Sequence, residues 1–225
     1  MEKIDVGAPS YFEILVGMAF KSFADQKVDI AVVEVGMGGE FDATNTLNPL
    51  IAILTNVGLD HTNILGKSVS KIARTKAGII KSDKLIVISG VKQPSVIKIV
   101  EDKCREVGVK LYRLGKDFKL TNLKLSLLGE YQKENASLAV QAVVQLRKFG
   151  FKISEEDIKK ALSTAFFPGR FEVINYTLDA KRYTLVLDGA HNPTKMRAFL
   201  STLKKLYPKE RKIFVVGFKF DKDIP

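Results

Sequence analysis

The chain of 225 residues has one cysteine, two histidines and no tryptophan. A lone thiol, Cys104, excludes an internal disulfide. No apolar run approaches the roughly 18 residues of a membrane span, and no charged-then-apolar leader follows Met1. Secretion and membrane spanning are therefore not expected, and the chain is read as cytoplasmic. Internal repeats and low-complexity tracts are absent too. What is present is ordinary: 46% apolar and 27% charged residues, enough to bury a core of one large domain or two modest ones. Lys and Arg number 36 against 25 Asp and Glu, a net charge of +11. That excess suits an anionic ligand. The basic residues are scattered among acidic ones and form no recognisable nucleic-acid module, so no nucleic-acid partner is expected.

Short, dense apolar runs flanked by Gly, Pro and Asn alternate with helical periodicity, which predicts an α/β fold with a mostly parallel sheet flanked by helices. Ser10 with Glu13 forms a capping-box signature for a first helix reaching about Ala24. Strands are expected at Asp29–Val35, Ile51–Val57, Lys84–Ser89 and Tyr183–Asp188, with a last one at about Lys212–Val216. Further helices should begin at the Ser68 cap, after Pro94, at about Tyr131, at the Ser154 cap and at Asn192-Pro193. In the helix after Pro94, Ile97, Val100, Cys104 and Val107 share one stripe, so Cys104 reads as inert core. Phe118 to Leu127 suggests a small hairpin or two short strands, and Pro168-Gly169 a joint between domains over 1–169 and 170–225.

Three of the expected strands end in polar clusters: Glu34 in VVEVGMGG, Thr55 to His61 in TNVGLDH, and Asp188 to Asn192 in DGAHN. Ligands of open α/β sheets bind beyond the carboxyl ends of the strands, so these are candidate site residues. His61 and His191 each follow a strand and stand near an Asp; each reads equally as a loop-fixing residue. Gly66-Lys67-Ser68 resembles the tail of a phosphate-binding loop, but His61 occupies the position where that loop needs its first glycine. Ser68 is therefore read as a helix cap. Gly36, Gly38 and Gly39 do not complete a dinucleotide fingerprint, because Phe41 holds the last place.

Taken together, Glu34-Val-Gly-Met-Gly-Gly with Asp42-Ala-Thr-Asn45, Gly58-Leu-Asp-His61, Lys76-Ala-Gly-Ile-Ile80, Gly129-Glu-Tyr-Gln132 with Asn135-Ala136, Pro168-Gly-Arg170 and Asp188-Gly-Ala-His-Asn-Pro193 resemble the folylpolyglutamate synthase/dihydrofolate synthase family, a branch of the Mur ligase superfamily. The resemblance covers nearly the whole chain, with six motifs in the family's order. It implies an ATP-dependent amide ligase that adds L-glutamate to a folate or dihydropteroate through an acyl phosphate, with Mg²⁺ and ATP as cofactors. Carried over by position, Glu34 and His61 would hold magnesium. Lys76 would be the lysine that becomes carbamylated and helps bind a second magnesium. Asn135, Arg170, Asp188 and His191 would contact ATP, and Lys76, Arg170 and His191 would act in catalysis. On chemistry alone Glu34 suits a hard cation, while imidazole is an uncommon magnesium ligand. Lys76 also reads as a solvated charge beside Arg74 and Lys81, Arg170 as a surface residue, and Asp188 and His191 as loop-fixing partners.

Set against that family, the chain is expected to lack the first strand with its phosphate loop and the end of the C-terminal domain. Without that loop no nest of N–H groups would cradle the β- and γ-phosphates. The alternative reading is accordingly a catalytically inactive remnant, or one piece of a split ligase. The partners implied are a second polypeptide supplying the loop, or another copy pairing through exposed sheet edges.

Overall fold

The computed structural model describes residues 7–119 and 124–217, which cluster into two compact units. The first runs to Val87 and includes Val91–Leu111; the second holds Ile88–Gly90 and the described residues from Tyr112 onward.

In the first unit, α1 (Tyr11–Gln26) starts on the expected capping box: Ser10 Oγ accepts from Glu13 N, and the Glu13 carboxylate accepts from Ser10 N at 2.7 Å. Lys27, in the left-handed region at φ +51°, ends it. β1 (Ile51–Leu54), β2 (Ile86–Ser89) and β3 (Lys110–Arg113) form a parallel sheet in the order β1-β2-β3. A short α2 (Thr62–Leu65) and then α3 (Val69–Ala77) connect β1 to β2, and α4 (Pro94–Val107) connects β2 to β3. Ser68 caps α3 by accepting from Lys71 N, so its hydroxyl is engaged as expected for a cap. α3 packs on α4, and the core gathers Ile72, Ala73, Ile80, Val87, Val96 and Val100. Cys104 is sealed in the same core, where burial, reinforced by the charge of Glu101, pushes its thiol up to about 11.

The second unit contains α5 (Glu130–Leu146), α6 (Glu155–Thr164), the antiparallel pair β4 (Glu172–Leu178) and β5 (Lys181–Leu187), and α7 (Pro193–Leu206). α6 opens on a second complete capping box between Ser154 and Asp157. The β4–β5 turn is Asp179–Ala180, both at positive φ (+49° and +59°), the geometry of a tight two-residue hairpin. Tyr176 and Tyr183 stack across the pair with centroids 5.4 Å apart. No described helix is long and apolar enough to cross a membrane.

Two expected strands do not form. Residues 28–35 and 211–217 belong to no strand, and several of their apolar side chains are open to solvent: Val32 is 93% and Val215 97% exposed. A parallel strand is held by ladders on its flanks, and among the described residues neither segment has such a neighbour. The hairpin expected around 118–127 lies partly outside the described residues.

Candidate functional site

In the first unit, the glycine-rich loop after Glu34 is wedged between the segments that bear His61 and Lys76. A Cβ on Gly38 would come within 2.9 Å of Leu65 on α2 and 3.0 Å of Thr75 on α3. One on Gly39 would meet the Thr75 and Lys76 carbonyl oxygens at 2.8 and 2.9 Å. Glu40 N also donates to Thr75 O at 2.9 Å. Only glycines allow that approach, and Gly38 is further held at φ +74°. His61 heads α2 in the left-handed conformation, φ +49°, and its carbonyl accepts from Ile64 N and Leu65 N. Its Nε2 stands 3.9 Å from Asp60 Oδ1. Lys76 is half-buried on the last turn of α3, and Glu34 lies exposed on a segment that belongs to no strand.

Asp42 ties this loop together. Its carboxylate accepts from Met37 N (2.7 Å), Thr44 N (3.0 Å) and Thr44 Oγ1 (2.6 Å). Burial raises its pKa, but the hydrogen bonds from Thr44, Met37 and Gly36 outweigh burial and hold the carboxyl below its ordinary value. Asn45 donates to the Glu40 and Gly78 carbonyls, joining the loop to the end of α3, and Lys81 donates to Asn45 O.

Among the described residues no three His, Cys, Asp or Glu side chains gather into a self-contained metal site. Magnesium asks for less, because one or two protein oxygens suffice when phosphates and waters complete its octahedron. The exposed Glu34 carboxylate meets that demand as a hard oxygen donor.

In the second unit, Arg170, Asp188 and His191 are brought together where the β4–β5 hairpin meets α7. Asp188 Oδ2 accepts from Phe171 N and Oδ1 from Ala190 N, both at 2.8 Å. Phe171 is buried and sits at φ +47°, a conformation a bulky residue seldom adopts. The Asp188 bond and the packing of its ring on Phe199 hold it there. That turn sets the direction of Arg170, whose guanidinium lies over the Phe167 ring and against Gly189, where a Cβ would stand 2.6 Å from Nη1. Gly189 N donates to Gly169 O at 2.8 Å, closing the turn. Tyr131, half-buried on α5, faces this cluster: burial and the Asp188 charge raise its pKa against the opposing effect of Arg170. Asn135 donates to Gln132 Oε1 at 3.0 Å, so its side chain is oriented by a buried neighbour.

The glycine-rich loop thus joins the segments of Glu34, His61 and Lys76, and the hairpin base joins Arg170, Asp188 and His191. Asp42, Tyr131, Gln132, Phe171 and Lys195 belong to these neighbourhoods although sequence reasoning gave them no role. Asp42, Tyr131 and Gln132 lie inside the family-type motifs, their only signal in the sequence.

Residues 12–180 match the Mur ligase middle domain, and residues 169–224 match the Mur ligase glutamate ligase domain. The chain belongs to the Mur ligase family. Within it, this Mur ligase chain is 32% identical over 248 residues to the dihydrofolate synthase/folylpolyglutamate synthase of Bacillus subtilis, covering 100% of the chain and 56% of that relative. Among solved structures, an FPGS complex with AMPPCP and folate superposes at a TM-score of 0.81 with 32% identity, covering 90% of this chain and 53% of the other. The folylpolyglutamate synthase of Mycobacterium tuberculosis, complexed with ADP and AMPPCP, gives 0.76 at 33% identity, covering 87% and 48%. The chain spans about half the length of the curated relatives it matches.

Proposed function

We propose that the chain takes part in an ATP-dependent ligase reaction of the folylpolyglutamate/dihydrofolate synthase type, joining L-glutamate to a folate or dihydropteroate carboxylate. The observation that supports this most is the hairpin-base cluster, where Arg170, Asp188 and His191 meet within one family-matched segment. Relatives sharing these domains carry that activity in their names, and their structures were obtained with nucleotide analogues and folate. The acceptor carboxylate takes the γ-phosphoryl group, and the amino group of glutamate then displaces phosphate from the acyl phosphate. Positioning and charge neutralisation do most of the work in such transfers.

Each residue has a task in this scheme. Arg170 presents a fixed fork of donors to a phosphate. Asn135, oriented by Gln132, contacts the nucleotide. Asp188 keeps the Arg170–Phe171 turn in shape through its two backbone bonds. Glu34, with His61, would hold magnesium, which supplies charge neutralisation at the phosphates. The Lys76 side chain makes no hydrogen bond or ion pair among the described residues, so its amine is available to add CO₂, losing a proton, and become an anionic ligand. The working division we propose is an ATPase-type part over 1–169 and a ligase part over 170–225.

The test uses the full chain with Mg²⁺-ATP, L-glutamate and either tetrahydrofolate or dihydropteroate, followed by mass spectrometry of the acceptor. Glutamylated product, with Arg170→Ala lowering turnover by at least tenfold, is the expected result. Neither product nor binding of Mg²⁺-AMPPCP would leave a family fold without catalysis.

A further inference from the structure

His191 has both ring nitrogens committed to partners of fixed chemistry. Nδ1 lies 2.7 Å from the Gly189 carbonyl oxygen, which can only accept, so Nδ1 carries a proton. Nε2 lies 3.2 Å from Lys195 Nζ, an ammonium that can only donate, so Nε2 offers its lone pair. A doubly protonated ring would point an N–H at that ammonium. The opposite tautomer would turn a lone pair toward the Gly189 oxygen. Only the neutral Nδ1–H ring satisfies both contacts.

The frame around the pair is braced. Gly189 N is bonded to Gly169 O at 2.8 Å, and Asn192 Oδ1 accepts from Lys195 N at 2.9 Å as the cap of α7. Lys195 stands in the first turn of α7, where the helix dipole favours an acid over a base. Helix energetics therefore do not account for a lysine there, whereas its contact with His191 does.

We propose that Lys195 is a positioning residue that locks His191 in the neutral Nδ1–H form. His191 then serves the ligand site as a fixed part of its frame and does not take up the proton of the attacking amine. The proton statement rests on the ligase reading; the tautomer lock does not.

The chain has only two histidines, so His61→Gln leaves His191 as the sole imidazole for ¹⁵N NMR of the full chain near neutral pH. The expected spectrum has a pyrrole-type Nδ1 and a pyridine-type Nε2. In the same background Lys195→Met should raise the Nε2–H share of the ring above the parent's, and Lys195→Arg should lower it again, with the Gly189 contact kept in each. Both histidine and lysine are exposed, so these variants keep the fold. An Nε2–H ring beside native Lys195, or a Lys195→Met spectrum identical to its parent, overturns the proposal. Should no variant or parent turn over, the ligase reading fails while the NMR result still decides the lock.

Discussion

Gly39 has no side chain because two carbonyl oxygens, those of Thr75 and Lys76, stand where a methyl would go. Gly39→Ala should therefore push the loop off α3 and destabilise the first unit by about 1–3 kcal/mol, read from the shift in a urea midpoint. Asp188→Ala removes the acceptor of two backbone N–H groups and should cost about 1–3 kcal/mol, with loss of Mg²⁺-AMPPCP binding. Glu130 gives a pH signature. Hydrogen bonds from Lys205 and then Lys133 hold its carboxyl down at about 2, against an ordinary 4.5. A depressed carboxylate contributes stability that is present above its unfolded pKa and lost as pH falls through the folded one. Stability should thus decline between about pH 4.5 and 2, and Glu130→Gln should flatten that limb in acid melts. At this scale sequence reading was partial. Glu34 and His191 stood out by type and place and Arg170 only through its family motif, whereas Asp42 and Phe171 act through backbone geometry that residue identity does not announce.

Among the elements, helices were the most legible because their ends are written locally. Ser10 with Glu13, Ser68, Ser154 with Asp157, and Asn192 with Pro193 all head helices as expected. Ser154→Ala should cost about 1 kcal/mol, measurable by chemical denaturation, since it removes one half of a capping box. Strands depend on partners far along the chain, and there reading failed in both directions. The runs at 29–35 and 212–216 have strand composition without a ladder. β4 escaped notice because its turn, Asp179–Ala180, lacks the glycine that usually marks such hairpins. β3 was missed because Lys110–Arg113 is only four residues long with charged ends.

At the scale of the whole molecule, the exposed apolar residues make self-association a testable expectation. Val32 and Val215 lie almost fully exposed on backbone that belongs to no strand, where free N–H and C=O groups could pair with another chain. Val32→Lys and Val215→Lys together should reduce concentration-dependent association, as light scattering would record, while leaving circular dichroism unchanged. The positive charge of +11 opposes self-association at low ionic strength, so added salt should make the difference larger. The buried thiol has a practical use of its own. Cys104 is the sole sulfhydryl, and its high pKa keeps it from alkylating reagents while the first unit is closed. Its labelling rate is therefore a native clock for opening of that unit, and a cysteine introduced on the surface elsewhere would accept a fluorophore selectively in the unaltered background.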